Sequence, residues 1–257
     1  MIDAGEFQLQ KHKEDGWDIS KLLYLANPIE MTFYNPNVTL QDKQNLIVFY
    51  GRLSPEKNVS SLITAFANLI KYPQFSNYKL LIIGDGDDKQ HCIELAGELI
   101  GHPPSQHYEF LGRRTPKEIK NILFRAKLSV LPSLLQETFG LTIVESMLAC
   151  TPALVPNISE LNITARHFGG FIFTNLTDSL IQILNEYDTY FNDFMHKRAN
   201  KLPALFDNAY LKELVKIYGG GGNVVYIILH SLCSPCSLSL SSWSALHTLP
   251  IRQEYAA

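Results

Sequence analysis

Apolar residues in the middle of the chain follow two alternating patterns. Short apolar runs rich in β-branched residues, each bounded by glycine, proline or polar residues, are typical of strands buried on both faces. The runs that predict strands span residues 45–51, 78–84, 108–112, 127–133, 152–156 and 170–173. Between them, apolar residues recur every three or four positions, as Val59, Leu62, Ile63 and Phe66 do, and this spacing predicts helices.

Strands that alternate with helices predict an α/β fold with a Rossmann-like parallel sheet and helices on both faces. One helix start is marked strongly, because Thr115, Pro116 and Glu118 have the order of a capping box with proline at the first helical position. Ligands of such sheets bind in the loops that follow the carboxyl ends of the strands. Polar residues in those loops are therefore the first candidates for a site.

Composition narrows the class of protein. The 257 residues are 46% hydrophobic and carry a formal net charge of -3, which is typical of a globular protein and argues against a nucleic-acid partner. The N-terminal segment has acidic residues and no apolar run, so it predicts no secretory signal. No apolar run approaches the roughly 18 residues that would predict a transmembrane segment.

The four cysteines predict a reducing, cytoplasmic setting, because they are too few and too scattered for a disulfide framework. Cys233 and Cys236 supply half the ligands of a zinc site without a second pair nearby, so no metal site is predicted. Both lie in an atypical tail, residues 218–257, which is rich in glycine, serine and leucine. No stable structure is predicted for this tail.

A cationic loop, GRLSPEKN, follows the first predicted strand. It contains Gly51, Arg52 and Lys57, and it leads into the first predicted helix. A helix N-terminus already favours anions through its free N–H groups and the positive end of its dipole. The two added cations therefore predict an anion site, with a pair of solvated surface cations as the alternative.

A nearly uncharged segment, residues 131–150, follows the fourth predicted strand and holds two carboxylates, Glu137 and Glu145. Helical spacing places Glu145 between an apolar face and a face of small residues. A buried carboxylate needs hydrogen-bond donors, so Glu145 is predicted to bind protein donors or ligand hydroxyls. A surface helix with two incidental glutamates is the alternative. The predicted apolar face comprises Leu141, Ile143, Val144, Met147 and Leu148.

The start of the same helix predicts further ligand contacts. Its first turn is expected at Thr138, Phe139, Gly140 and Leu141, with N–H groups directed outward. Gly140 would let a ligand approach the backbone closely. Glu137, just before the turn, would face the same space.

Two other loops are predicted at the same edge of the sheet. Arg113 lies after the third predicted strand, where it would either close over a base or phosphate or form a solvated basic turn. The segment IIGDGDDKQ, residues 82–90, lacks the third glycine of a dinucleotide-binding loop. Its Asp85, Asp87 and Asp88 would also repel a pyrophosphate, which argues against dinucleotide binding.

Together, these segments resemble the donor-binding half of a retaining glycosyltransferase of family 4, which has the GT-B fold. The resemblance covers roughly residues 26–187 and rests on GRLSPEKN, LLIIGDGDD, YEFLGRRTPKEI and LSVLPSLLQETFGLTIVESMLACTP. Pro156 and Glu160 follow in a Pro-x-x-x-Glu pattern. The specific feature is the pair of glutamates around Phe-Gly-Leu, placed after GRLSPEKN.

The resemblance implies a role for each matching residue. Arg52 and Lys57 would bind the donor diphosphate, and Glu137 would contact the transferring sugar. Glu145 would bind the ribose hydroxyls, and Arg113 would lie near the base. The remaining donor-binding positions, which act mainly through the backbone, would be Gly51, Phe139, Gly140, Leu141 and Thr142.

The resemblance further implies transfer with retention, no cofactor and no catalytic metal. The partners would be a nucleotide-sugar donor and an acceptor of unknown kind. Residues 44–217 would form the nucleotide-sugar-binding domain with its C-terminal helices. Residues 1–43 are too few for the acceptor domain of the family and predict a remnant and linker. The chain is therefore expected to be truncated and to need an acceptor domain, either fused or in trans.

Two departures from the family pattern concern the sugar side of the site. The glycine usual between Cys150 and Thr151 is missing, and Asn157, Ile158 and Ser159 replace an expected Gly-Gly pair. Glycosyl transfer is the leading function. A non-catalytic nucleotide-sugar-binding module or degenerate partner subunit is the alternative that these departures favour. An epimerase or phosphorylase of similar architecture fits the glutamate spacing less well.

Overall fold

Six strands pair side by side into the parallel sheet that the apolar runs predict. The computed structural model describes residues 2–3, 6–18, 23–24, 31–35, 37–102, 105–134 and 140–206. The strands are β1 Ile2–Asp3, β2 Leu23–Tyr24, β3 Gln44–Tyr50, β4 Lys79–Ile83, β5 Tyr108–Gly112, β6 Ala126–Val130, β7 Ala153–Pro156 and β8 Phe171–Phe173. The helices are α1 Glu6–Glu14, α2 Val59–Leu69, α3 Lys89–Leu99, α4 Pro116–Leu123, α5 Leu141–Leu148, α6 Ser159–Phe168, α7 Leu176–Asn185 and α8 Tyr187–Phe206. The predicted tail, 218–257, lies outside these residues.

The order of the strands makes the sheet doubly wound. It runs β5-β4-β3-β6-β7-β8, and every neighbouring pair is parallel. The chain first builds the sheet outward from β3 through β4 and β5, then returns to the other side of β3 and continues from β6. The predicted Rossmann-like α/β fold is confirmed. Its topological switch point lies between β3 and β6, where such sheets have their ligand crevice.

Local sequence explains the main elements. Ile47, Val48 and Phe49 of β3 are completely buried, as expected for a central strand covered on both faces. The capping box that opens α4 is present: the Thr115 hydroxyl accepts from the Glu118 N–H at 3.3 Å, and the Glu118 carboxylate accepts from the Thr115 N–H at 2.8 Å. The predicted start of this helix is confirmed.

The first 24 residues contain elements that the apolar pattern did not predict. β1 and β2 pair in parallel, Ile2 opposite Leu23 and Asp3 opposite Tyr24, with α1 between them in the chain. α1 lies against α6. Strands of two residues are too short to produce a recognisable period in the sequence, which explains why they were missed.

The last helix, α8, contacts the C-terminal end of α5. Arg198 of α8 is buried, and it donates to the carbonyl oxygens of Met147 at 2.7 Å and Leu148 at 3.0 Å. These carbonyls belong to the last turn of α5, where a cation offsets the negative end of the helix dipole.

None of the described helices, α8 included, combines the length and apolar content needed to cross a membrane.

Lys43 is a buried lysine at the end of the sheet opposite the ligand crevice, just before β3. Its Nζ donates to the carbonyl oxygen of Phe124 and to Oγ1 of Thr151, both at 3.0 Å, and lies 5.5 Å from the centre of the Phe191 ring. Burial lowers the pKa of Lys43 from its ordinary value of 10.5 to about 7. The folded state therefore favours the neutral amine.

This burial predicts a stability that rises with pH. Between pH 7 and 9 the unfolded chain holds more protons on Lys43 than the folded chain, so deprotonation favours folding by about 2 kcal/mol over that range. Denaturant unfolding at several pH values measures this. Lys43→Met should lack that component and should be more stable at pH 7. Identical pH dependence in the two proteins would contradict the prediction.

Candidate functional site

Backbone hydrogen bonds connect the loops at the carboxyl ends of β3 and β4. The Gly51 N–H donates to the Ile83 carbonyl at 3.0 Å, and the Leu53 N–H donates to the Asp85 carbonyl at 2.9 Å. The Asp88 N–H in turn donates to the Leu53 carbonyl at 3.0 Å. The segment 82–90, whose sequence argues against dinucleotide binding, therefore supports the loop that holds Arg52.

The loop after β3 is also tied to the loop after β6, across the switch point. The carbonyl oxygen of Glu56 accepts from the Leu134 N–H at 2.8 Å and from the Ser133 hydroxyl at 3.3 Å. The Asn58 side chain donates to the Pro132 carbonyl at 3.3 Å. The two loops on which the predicted site depends thus meet where a doubly wound sheet binds its ligand.

Arg52 is exposed at this edge and pairs with a carboxylate that the sequence reasoning missed. Its Nη2 lies 2.7 Å from Oε1 of Glu56, and the Ser54 hydroxyl donates to the same oxygen at 2.6 Å. The Ser54 hydrogen bond is the main cause that lowers the pKa of Glu56, and the charges of Arg52 and Lys57 add to it. The Arg52 side chain is 70% exposed, so this pair adds little stability and Arg52 is available to an anion.

Lys57 lies beside the start of α2 but outside the helix. It ends a 3-10 turn, Pro55–Lys57, and α2 begins at Val59 after Asn58. Asn58 has φ 52, a left-handed conformation that asparagine tolerates better than most residues. The Lys57 side chain is half-buried at the same edge as Arg52. Both cations therefore lie close to the start of α2, with Lys57 two residues before it, and their role in binding an anion stays a prediction.

The start of α5 differs from the prediction. The helix begins at Leu141, and Gly140 precedes it with φ 76. A Cβ on Gly140 would lie 2.9 Å from Cδ1 of Ile143 and 3.3 Å from Cδ2 of Leu161. The left-handed conformation and this packing explain the glycine without a ligand. Glu137 and Phe139, like Thr138, lie outside the described residues, so their roles stay predictions.

Glu145 is half-buried rather than enclosed, and it lies next to Tyr50 at the end of β3. The Tyr50 hydroxyl lies 2.5 Å from the Thr142 carbonyl oxygen and 3.2 Å from Oγ of Ser146. Burial raises the pKa of Tyr50 well above its ordinary value, and the charge of Glu145 adds to this. Leu141 departs from the predicted buried face, because it is 40% exposed at the first position of the helix.

Arg113 is exposed on the loop after β5. The hydrogen bond and charge of Lys89 lower the pKa of Asp85, and Arg113 makes the smallest contribution to that shift. Arg113 is therefore near the loop after β4. This placement is compatible with either alternative, a solvated basic turn or a contact to a base.

The structure describes the residues at both departures on the sugar side. Cys150 itself takes the left-handed conformation, φ 57, that the missing glycine would have supplied at the end of α5. The Thr151 N–H donates to the Ser146 carbonyl at 2.8 Å and closes the helix in a Schellman motif. After β7, the Asn157 side chain accepts from Asn162 of α6 at 2.5 Å.

At the switch point, positive charge is provided by two cationic side chains and by the N-terminal end of a helix. Among the residues that the structure describes, no group of three or more His, Cys, Asp or Glu side chains could hold a metal ion. Arg52 and Lys57 lie at one side of the switch point, and the N-terminus of α5 lies at the other. Such an arrangement suits a ligand with both phosphate and hydroxyl groups.

Comparison with known proteins identifies a family and several relatives. The family model described as "Glycosyl transferases group 1" matches residues 31–188. The chain is 27% identical over 195 residues to an uncharacterized glycosyltransferase of Methanocaldococcus jannaschii, with 72% of this chain and 47% of that protein covered. It is 26% identical over 172 residues to the D-inositol 3-phosphate glycosyltransferase of Rhodococcus opacus, with 62% and 37% covered. The chain thus spans less than half the length of both relatives.

Solved structures show the same fold. HepE of Anabaena, in complex with UDP and glucose, has a TM-score of 0.69 at 18% identity, covering 85% of this chain and 62% of that one. TarM has a TM-score of 0.69 at 18% identity, covering 84% and 43%. Because the family model covers more than half of its residues, the chain belongs to the glycosyl transferases group 1 family.

Proposed function

We propose that this chain provides the donor site of a retaining glycosyltransferase of family 4, which transfers a sugar from a nucleotide-diphosphate sugar. The observation that carries the proposal is the meeting of two loops at the switch point. One bears Arg52 and Lys57, and the other leads into α5 with Glu145. HepE, which shares the fold, has been solved with UDP and with UDP-glucose.

Each described residue has a proposed task. Arg52 and Lys57 hold the diphosphate, and Glu145 accepts hydrogen bonds from the ribose hydroxyls. The backbone N–H groups of Leu141 and Thr142, in the first turn of α5, face phosphate or sugar oxygens. The remaining proposed contacts are those of Gly51, Gly140 and Arg113, with Glu137 and Phe139 completing the sugar side.

The proposed chemistry needs little from the protein beyond charge and position. As the bond between the sugar and the diphosphate breaks, negative charge grows on the leaving phosphate, where Arg52, Lys57 and the α5 N-terminus stabilise it. The acceptor hydroxyl attacks the same face of the sugar, and the leaving phosphate takes its proton. No separate base and no cofactor is required, and configuration at the sugar carbon is retained.

The acceptor is not specified by these groups. The named relatives act on D-inositol 3-phosphate and, in Streptococcus pneumoniae, make α-monoglucosyldiacylglycerol. We propose that an acceptor-binding domain completes the site, in the same polypeptide or in trans. The buried free thiols of Cys92 and Cys150 support a reducing, cytoplasmic setting. A non-catalytic nucleotide-sugar-binding module is the second candidate, favoured by Asn157, which is held by Asn162 in place of a Gly-Gly pair.

Calorimetric titration with UDP, GDP and ADP tests the donor site directly. At least one nucleotide is expected to bind, and the matching nucleotide sugar should compete with it. Failure of all three to bind would refute the proposal. A transfer assay with the bound nucleotide sugar, in which the acceptor-binding domain is also supplied, then separates an enzyme from a non-catalytic module.

Donor binding is also expected to be independent of divalent metal. Arg52, Lys57 and the α5 N-terminus supply the positive charge that a metal ion would otherwise provide. The affinity for the bound nucleotide should therefore change less than about twofold, well under 1 kcal/mol, when EDTA replaces magnesium or manganese. Loss of binding in EDTA, restored by either metal, would contradict the proposed cation clamp.

A further inference from the structure

Glu56 is a half-buried carboxylate at the candidate site to which the proposed donor chemistry assigns no task. It lies in the 3-10 turn Pro55–Lys57, and its Oε1 is 2.7 Å from Nη2 of Arg52. The hydroxyl of Ser54, which is buried, donates to the same oxygen at 2.6 Å. One carboxylate oxygen therefore joins a buried hydroxyl to an exposed guanidinium.

The backbone of Glu56 is fixed across the switch point. Its carbonyl oxygen accepts from the Leu134 N–H at 2.8 Å and from the hydroxyl of Ser133, a buried residue, at 3.3 Å. The hydrogen bond from Ser54 is the main cause that lowers the pKa of Glu56, so the carboxylate is ionised at neutral pH. Glu56 is thus a charged group in a fixed place beside a flexible cation.

Arg52 needs such a support, because its side chain is long and 70% exposed. A flexible side chain loses rotamer entropy when a ligand fixes it in one conformation. An ion pair that already holds the guanidinium removes part of this cost, as supporting hydrogen bonds do in binding sites generally. Among the described residues, the contact with Glu56 uses Nη2 alone, which leaves Nε and Nη1 of Arg52 for a diphosphate.

We infer that Glu56 is a positioning residue of the donor site, whose carboxylate, itself held by Ser54, orients the Arg52 guanidinium toward the donor diphosphate. The inference rests on the proposed function. Glu56 acts through Arg52 and does not itself touch the donor. Its negative charge therefore favours donor binding only while Arg52 is present, because without the guanidinium the same charge repels the diphosphate.

Glu56→Gln, made in the wild-type chain and in Arg52→Ala, tests this dependence by calorimetric titration. In the wild-type chain, the tightest binder among UDP, GDP and ADP should bind roughly threefold to tenfold more weakly, the cost of ordering one flexible side chain. In Arg52→Ala, the same substitution should strengthen binding. The matching nucleoside, which lacks the diphosphate and is measured by competition, should bind equally well with and without Glu56→Gln.

Ser54→Ala separates position from charge, because it frees the Glu56 carboxylate without changing the net charge. It should weaken nucleotide binding by no more than Glu56→Gln does. In Arg52→Ala its effect should be less than about twofold, because no guanidinium remains to be oriented.

Asp193→Asn is the matched control for removing a carboxylate from an ion pair. Oδ2 of Asp193 lies 2.6 Å from Nζ of Lys197 on α8, and the two residues are four positions apart, as Arg52 and Glu56 are. Asp193→Asn should leave nucleotide affinity unchanged. A loss equal to that of Glu56→Gln would show a general effect of charge and would overturn the inference.

The same titrations separate the inference from its premise. Tighter or unchanged binding by Glu56→Gln in the wild-type chain would show that Glu56 competes for Arg52 or does not act on it, and the inference alone would fail. The same loss in both backgrounds, or an equal loss for the nucleoside, would show that Glu56 only supports the loop, and would overturn the inference as well. If the wild-type chain binds none of UDP, GDP and ADP, the proposed function and the inference both fail.

Discussion

Alanine at both Arg52 and Lys57 is expected to weaken the binding of a nucleoside diphosphate by roughly 100-fold or more. Each cation is expected to make a charge-assisted contact with the diphosphate, worth about 1.5 to 3 kcal/mol. Since about 1.4 kcal/mol corresponds to a factor of ten, each single substitution should cost at least that factor. Calorimetric titration of both single variants and the double variant with the best-binding nucleotide measures these losses.

Arg52→Ala has a second effect, because it exposes Glu56. In the structure, Oε1 of Glu56 lies 2.7 Å from the Arg52 guanidinium. Without Arg52, that carboxylate would stand uncompensated beside the diphosphate and repel it. Arg52→Ala combined with Glu56→Gln should therefore bind the nucleotide more tightly than Arg52→Ala alone.

Lys71→Ala is the control for a general change of charge. Lys71 follows α2 at the end of the helix opposite Lys57 and is exposed, with its Nζ 2.9 Å from Oδ1 of Asn68. It should bind the nucleotide as the wild type does. Wild-type affinity in the Arg52 and Lys57 double variant would remove both residues from the site.

The sheet could be predicted because each strand and helix start is marked by residues close together in the sequence. The apolar run that forms β3 is uninterrupted, and a strand buried on both faces needs such a run. The capping box at Thr115 likewise involves residues three apart. β1 and β2 were missed because two residues produce no period. Their pairing joins residues about 20 positions apart, which a local pattern does not show.

The sequence predicts which residues lie near one another only through the topology of the sheet. The loops that follow parallel strands lie at one edge of the sheet, so Arg52, Lys57 and Glu145 could be predicted to lie close together. The contacts that fix them join residues distant in the sequence, such as Tyr50 with Thr142 and Glu56 with Leu134. Tyr50 lies in an apolar strand run, so the sequence did not show that its hydroxyl donates to the Thr142 carbonyl of α5.

The glycines of the loop after β4 show the same limit. Their spacing argued against dinucleotide binding but did not explain why glycine is needed. In the structure, Gly84 has φ 139, and a Cβ there would lie 1.8 Å from the Gly51 carbonyl oxygen. A Cβ on Gly86 would lie 2.1 Å from the Leu53 carbonyl oxygen. Both glycines therefore allow the loop after β4 to pack closely against the backbone of Gly51 and Leu53, the two neighbours of Arg52.

Gly84→Ala is therefore expected to be severely destabilising. No side-chain rotation relieves a contact between Cβ and a backbone oxygen, so one of the two loops must move. The movement would break the hydrogen bonds that join Leu53 to Asp85 and Asp88. Denaturant unfolding should show a loss of about 4 kcal/mol or more, a size reserved for such steric conflicts. Any folded fraction should bind nucleotide poorly, because Arg52 moves with its loop.

Gly101→Ala separates the clash from the unusual backbone angle. Gly101 has φ 128, close to that of Gly84, but a Cβ there would meet no atom within 4 Å. Its substitution should cost only the strain of placing alanine at positive φ, about 1 to 2 kcal/mol. The difference between the two variants then measures the contact between Gly84 and Gly51. Equal stability of the two would mean that the loops adjust freely, and the packing of the loop after β4 would not be what holds Arg52 at the donor site.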